Sequence, residues 1–186
     1  EVKFVGSERL MARPQSIYEV LAKEEGLTFK RENNSITVKG PIRAGEVFID
    51  GNVSSQFITG LILALVYLGE DSSIEILPPF ESRPYINLTI SALSSFGANV
   101  SFTDEYRIEV KASKMHSFSG RIEGDYSNAA FLDAFNQIGA EVIVENLNPD
   151  SQQGDKVYAE YFNEISNGTP TLDISDCPDC GQYRWC

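Results

Sequence analysis

Ser54, Ser55 and Gln56 set two hydroxyls and an amide side by side, a trio suited to holding a phosphate or carboxylate. Ahead of them, Val47 and Ile49 alternate with Glu46, Phe48 and Asp50, the period-two pattern of a strand. Behind them, Phe57, Ile58, Leu61, Ile62, Leu65 and Val66 recur at helical spacing. The trio therefore falls in the first turn of a helix, after a tight turn at Gly51-Asn52. Unpaired backbone N–H groups and the positive end of the helix dipole face outward there, which favours a phosphate or carboxylate. The plainer alternative is that Ser54 or Ser55 only caps the helix, although two hydroxyls and a Gln exceed what capping needs.

Two further groups of residues have chemical potential. Arg9 and Arg13 stand four apart in GSERLMARP, and they form either an anion clamp or ordinary solvated charges. Ser82 precedes a helix that opens at Arg83-Pro84, in the N-cap position, and Tyr85 either joins the core or aims its hydroxyl at the same helix start. Cys177, Cys180 and Cys186 supply one CxxC with no second, and His116, the lone histidine, is remote in sequence. Neither a metal site nor a redox pair is expected from them.

The net charge of −12 over 186 residues argues against nucleic acid, whose binding rests on clustered Lys and Arg. The longest apolar stretch, residues 57–68, is too short to span a membrane and is broken by Thr59 and Gly60. The opening EVKFVGSERLM has neither the form of a signal peptide nor an initiating Met, so the chain is expected to begin in mid-protein.

These groups need a frame to hold them. Strands are expected over 2–5, 28–31 and 36–39, the last two joined at Asn33-Asn34, with a helix from Pro14 to Gly26 between the first and second. The strand–turn–helix of 45–68 is followed by a strand at 73–77, a helix from 83 to Gly97, and strands at 99–102 and 107–110. That is one β-α-β-α-β-β unit. The pattern then restarts: a strand at 120–123 leads to Gly124-Asp125-Tyr126-Ser127-Asn128, which echoes Gly51-Asn52-Val53-Ser54-Ser55 at an offset of 73 residues. Ala129 stands where the first copy has Gln56, so part of the polar cluster is lost. A strand at 141–145, a helix at 154–165 and a strand at 171–174 complete the expectation. Residues 1–113 then hold the end of one unit and the whole of another (45–113), residues 114–118 link, and 119–179 begin a second lobe.

GNVSSQF, ESRPYINLTI, GDYSNAAF, SQQGD and LDISDCPD, in this order and at this spacing, resemble the EPSP synthases, the 3-phosphoshikimate 1-carboxyvinyltransferases, over residues 2–179. The UDP-N-acetylglucosamine enolpyruvyl transferases share the repeat architecture but lack the SSQ and SRPYI signatures. The resemblance implies an α/β (α+β) fold of two lobes, each of three β-α-β-α-β-β units, with the active site in the cleft between them. It implies transfer of the enolpyruvyl group of phosphoenolpyruvate to the 5-hydroxyl of shikimate 3-phosphate, with release of phosphate, in the cytoplasm and without metal or organic cofactor. Ser54, Ser55 and Gln56 would hold shikimate 3-phosphate, and Gln56 would also reach phosphoenolpyruvate. Ser82 would bind the phosphate of shikimate 3-phosphate, with Tyr85 supporting that region. Arg9 would grip phosphoenolpyruvate, a task its planar fork suits better than Lys does. Asp179 would take the proton from the attacking hydroxyl. Asp125 and Asn128 would be structural.

The family's other substrate-binding Lys and Arg, its phosphoenolpyruvate loop and its acidic proton donor have no counterpart in this chain, and residues 180–186 depart from the family pattern. The expectation is therefore a fragment that is inactive alone and needs the remainder of the enzyme. The alternatives are a non-catalytic fragment that only binds shikimate 3-phosphate, a related UDP-sugar enolpyruvyl transferase, and a structural fragment with no affinity.

Overall fold

The computed structural model describes residues 1–168, 171–174 and 181. In chain order the elements are β1 (Val2–Val5), α1 (Glu8–Met11), α2 (Ser16–Glu24), β2 (Thr28–Glu32), β3 (Ser35–Lys39), β4 (Glu46–Asp50), α3 (Ser55–Leu68), β5 (Ser72–Leu77), α4 (Arg83–Ser95), β6 (Asn99–Phe102) and β7 (Arg107–Lys111). After these come α5 (Tyr126–Asp133), two 3-10 turns (Ala134–Ile138 and Gly154–Val157) and α6 (Tyr158–Ser166). The fold is mixed α/β. None of the described helices is long and apolar enough to cross a membrane.

Two sheets form. A three-stranded antiparallel sheet has the order β1-β3-β2, with Glu32 opposite Ser35 across the two-residue Asn33-Asn34 turn. The four-stranded sheet has the order β4-β5-β7-β6. In it β4 and β5 run parallel, joined by α3 as a crossover, and β5–β7 and β7–β6 are antiparallel. Residues 46–111 thus make the expected β-α-β-α-β-β unit.

Alternation in β4 buries Val47 and Ile49 against α3, whose Ile58, Ile62 and Leu65 are fully enclosed. Ile74 and Ile76 of β5, Ile108 and Val110 of β7, and Ile86 of α4 close the same core. Each such side chain stabilises the fold by about 1.5–3 kcal/mol relative to exposure. This packing holds the first turns of α3 and α4 at the carboxyl ends of β4 and β5.

The second copy differs from expectation. No strand forms at 120–123, 141–145 or 171–174. A strand needs a neighbouring strand for its backbone N–H and C=O groups, and the described residues offer these segments no such ladder; Val142, for one, bonds the Asn136 side chain instead. Ile122 and Ile143 stand 93% and 85% exposed as a result. What remains is helical, a small cluster of Tyr126, Ala129, Ala130, Ala134, Tyr158 and Phe162. The echo of the first turn is also inexact: α3 starts four residues after Gly51, whereas α5 starts two residues after Gly124. Asp125 causes the early start, because its carboxylate accepts the N–H groups of Ser127 (2.9 Å) and Asn128 (3.4 Å) and so caps α5. Residues 112–125 form no regular element. They are held to the end of α4 by the His116 N–H bond to the Phe96 carbonyl (2.8 Å) and by edge contact of Phe96 with Phe118.

Candidate functional site

The site is built where two turns touch. Gly51 ends β4 and is buried; its N–H donates to the Leu77 carbonyl at 2.7 Å, and its own carbonyl accepts from Glu81 N–H at 3.2 Å. A Cβ at this position would stand 2.6 Å from the Pro79 carbonyl oxygen and 2.7 Å from that of Leu77. Only glycine lets the two backbones come this close. The turn carrying Ser54 and the turn carrying Ser82 are thereby stitched together, beyond the carboxyl ends of two parallel strands, a usual place for ligands in α/β sheets.

A groove of about 570 Å³ opens between the two helix starts, and Ser54, Ser55, Gln56, Ser82 and Tyr85 all line it. Thr59, Gly60, Leu63 and Thr89 complete its wall. Those four escaped the sequence reading, yet the signal was present: Thr59 lies one helical turn beyond Ser55 and Thr89 one turn beyond Tyr85, on the same faces.

The polar groups serve the backbone unequally. Ser54 caps α3, accepting the Gln56 N–H at a long 3.4 Å. Ser55 follows it inside the helix and Gln56 is exposed. Ser82 occupies the N-cap position of α4 but does not cap it. Its backbone is left-handed (φ 58°, ψ 28°), and its hydroxyl makes no capping bond. Capping residues ordinarily have extended φ and ψ, which aim the side chain at the next amides. A non-glycine residue in this region carries strain, and such strain is concentrated at ligand sites.

Tyr85 is half-buried. Its hydroxyl donates to Asp155 Oδ1 at 3.1 Å, and its carbonyl accepts from Thr89 Oγ1 at 3.1 Å. Thr89 Oγ1 also meets Thr59 Oγ1 at 3.1 Å, linking α3 to α4 along the groove wall. Asp155 belongs to a segment fastened to the start of α5. The Glu123 carboxylate accepts from Ser151 Oγ (2.8 Å), Asn148 Nδ2 (3.0 Å) and Gln153 Nε2 (3.1 Å). Gln153 also donates to the Gly124 carbonyl (2.8 Å) and accepts from Tyr126 N–H (2.9 Å). Hydrogen bonds from Gln153, Ser151 and Asn148 hold the Glu123 carboxyl below its ordinary range, against the opposing effect of burial.

Among the described residues, no charged side chain lines the groove. Arg83, next to Ser82, is turned away: its guanidinium lies 4.1 Å from the Phe102 ring centroid and donates to the Glu105 carbonyl at 3.1 Å. Arg9 is exposed in α1 and does not line the groove, and its neighbours Leu10 and Met11 line a separate apolar groove of about 660 Å³. The loop between α1 and α2 is held by Arg31, which donates to the Met11 (2.9 Å) and Arg13 (2.7 Å) carbonyls. Asp179 and the cysteines lie outside the described residues. Among the described residues, no group of three or more His, Cys, Asp or Glu is placed to hold a metal ion.

Comparison with known proteins gives the lineage. The solved enolpyruvyl transferase NikO from Streptomyces tendae is similar at 17% identity and a TM-score of 0.44, over 62% of this chain and 27% of that one. The 3-phosphoshikimate 1-carboxyvinyltransferase of Clostridium novyi (strain NT) is 36% identical over 199 residues, covering 96% of this chain and 46% of that protein. That of Brachyspira hyodysenteriae (strain ATCC 49526 / WA1) is 38% identical over 197 residues, covering 96% and 47%. The chain thus spans about half the length of the curated relatives it matches. The family profile for EPSP synthase (3-phosphoshikimate 1-carboxyvinyltransferase) matches residues 1–175, and the chain belongs to that family.

Proposed function

We propose that this chain supplies the shikimate 3-phosphate side of an enzyme that transfers the enolpyruvyl group of phosphoenolpyruvate to the 5-hydroxyl of shikimate 3-phosphate, releasing phosphate. The observation that carries this reading is the convergence of Ser54, Ser55, Gln56, Ser82 and Tyr85 on one groove between two helix starts. Hydroxyl and amide donors there, with the first-turn N–H groups of α3, are suited to a phosphate and a ring bearing hydroxyls. The strained Ser82, whose hydroxyl is not used as a cap, is the best candidate for the phosphate contact. Ser55 and Gln56 then meet the ring.

Binding and turnover separate in this reading. Transfer between two multiply charged anions needs cations to offset developing charge and to hold both reactants in line. The described lining of the groove has none. Arg9 as the phosphoenolpyruvate grip and Asp179 as general base complete the roles proposed for this chain. Residues 1–113 and 119–179 are proposed to belong to two lobes of a cytoplasmic enzyme whose remaining cationic groups make the site competent.

The test pairs calorimetry with a phosphate-release assay on the 186-residue chain. Shikimate 3-phosphate should bind with a roughly millimolar dissociation constant, about 4 kcal/mol. Binding should weaken in Ser55→Ala, which removes a groove hydroxyl without touching the cap. Phosphate release with phosphoenolpyruvate present should stay at background. No heat at ten times that ligand concentration, or an unchanged Ser55→Ala variant, would overturn the reading.

A further inference from the structure

We propose that Asp155 is a positioning residue for the groove, fixing the ring of Tyr85 from a segment 70 residues away and so making groove geometry depend on how residues 119–166 are seated. The inference rests on the shikimate 3-phosphate reading for its binding readout, but its structural half stands apart from any ligand.

Tyr85 sits in the first turn of α4, with its side chain half-buried. Two bonds among the described residues bear on its placement. Thr89 Oγ1 donates to its carbonyl and pins the backbone, while its hydroxyl donates to Asp155 Oδ1 at 3.1 Å. Asp155 is only 5% exposed and lies in the 3-10 turn Gly154–Val157. A bond to a carboxylate shielded from water is among the stronger hydrogen bonds a phenol can make.

The chain before Asp155 explains why the acceptor stays in place. Ser151 is tied to Glu123, and Gln153 is tied to Glu123, Gly124 and Tyr126. In the motif SQQGD, Ser151 and Gln153 therefore anchor the loop to the start of α5, and Asp155 delivers the carboxylate to Tyr85. The motif supplies no side chain to the groove lining. Its contribution to the groove is made through Tyr85.

The experiment uses the 186-residue chain, labelled with ring-¹³C tyrosine, and the variants Asp155→Ala, Asp155→Asn, Tyr85→Phe and Tyr85→Phe/Asp155→Ala. The Tyr85 ring signal is assigned by its loss in Tyr85→Phe. Without ligand, Asp155→Ala should shift that signal or split it into two rotamer populations, and Asp155→Asn, which keeps an acceptor oxygen, should largely restore it. With shikimate 3-phosphate as probe, Asp155→Ala should weaken binding about tenfold, the scale of a lost hydrogen bond to a charged group. In the Tyr85→Phe background the same change should cost less than about twofold, because the partner it acts through is gone. An unmoved Tyr85 signal in Asp155→Ala overturns the proposal, as do additive losses in the double variant. If the parent chain binds no shikimate 3-phosphate, the functional reading fails while the Tyr85 signal still decides the positioning role.

Discussion

Gly51→Ala perturbs the point at which the turns before α3 and α4 touch. The added methyl would lie 2.6 Å from the Pro79 oxygen, 2.7 Å from the Leu77 oxygen and 2.8 Å from Ile76 Cγ2. Ordinary contact of a Cβ begins near 3.4 Å, so both carbonyls must retreat by about 0.7 Å. Both are backbone atoms, and the Leu77 oxygen is the acceptor of the Gly51 N–H, so relief by rotamer change is closed. Overpacking of this kind costs about 1–3 kcal/mol, and the weakened Gly51–Leu77 bond adds about 1 kcal/mol, giving about 3 kcal/mol in all. For a chain of this size that lowers the melting temperature by about 6–12 °C. Gly60→Ala is the matched control. Its methyl meets the Tyr18 hydroxyl at 2.3 Å, but that atom is the tip of a side chain that can swing aside. Losing the Tyr18 bond to the Phe57 carbonyl (3.2 Å) costs about 1 kcal/mol, which the helix propensity of Ala over Gly in α3 offsets. Thermal melting followed by circular dichroism should therefore separate the two variants by about 3 kcal/mol, with shikimate 3-phosphate binding lost in Gly51→Ala. Equal melting temperatures would refute the claim that Gly51 holds the two turns together.

Ser82→Gly should leave the melting temperature unchanged or raise it, because glycine releases about 1 kcal/mol of left-handed strain and offsets its own extra unfolded-state entropy. It should nonetheless weaken shikimate 3-phosphate binding about tenfold by calorimetry, and a stabilised variant with full affinity would deny the hydroxyl its role. Glu123 gives a pH signature. Its folded carboxyl titrates below the ordinary value of 4.5, so its contribution is complete above that value and is lost as pH falls through the lower folded one. Melting temperature should consequently drop more steeply below pH 4.5 in the parent chain than in Glu123→Gln, and parallel curves would contradict the network around Ser151 and Gln153.

The first repeat unit was legible because its signals are local and its partners are present. Val47, Ile49, Ile74 and Ile76 alternate in sequence, and β4 and β5 then pair with each other through a short crossover. The strands expected at 120–123, 141–145 and 171–174 were read from the same kind of pattern. Alternation records which residues avoid water and not whether a neighbouring strand exists, so among the described residues these segments form no strand. At Ser82 the sequence reading located the helix start but not its handedness, since Ser is a common cap and rarely takes positive φ. The hydrogen bond between Tyr85 and Asp155 joins residues 70 apart and leaves no periodic trace in a single sequence. Thr59 and Thr89 were within reach, one turn along the helices from residues already chosen.

The central claim is that shikimate 3-phosphate binds at the paired starts of α3 and α4. Amide chemical-shift mapping of the ¹⁵N-labelled chain during titration with shikimate 3-phosphate tests it most directly. The largest shifts should fall on the backbone N–H groups of Ser55, Gln56 and Phe57 and of Ser82, Arg83 and Tyr85, with saturation common to both sets. Shifts confined to one helix start, or centred on Leu10, Tyr18 and Leu61 around the apolar groove, would contradict it.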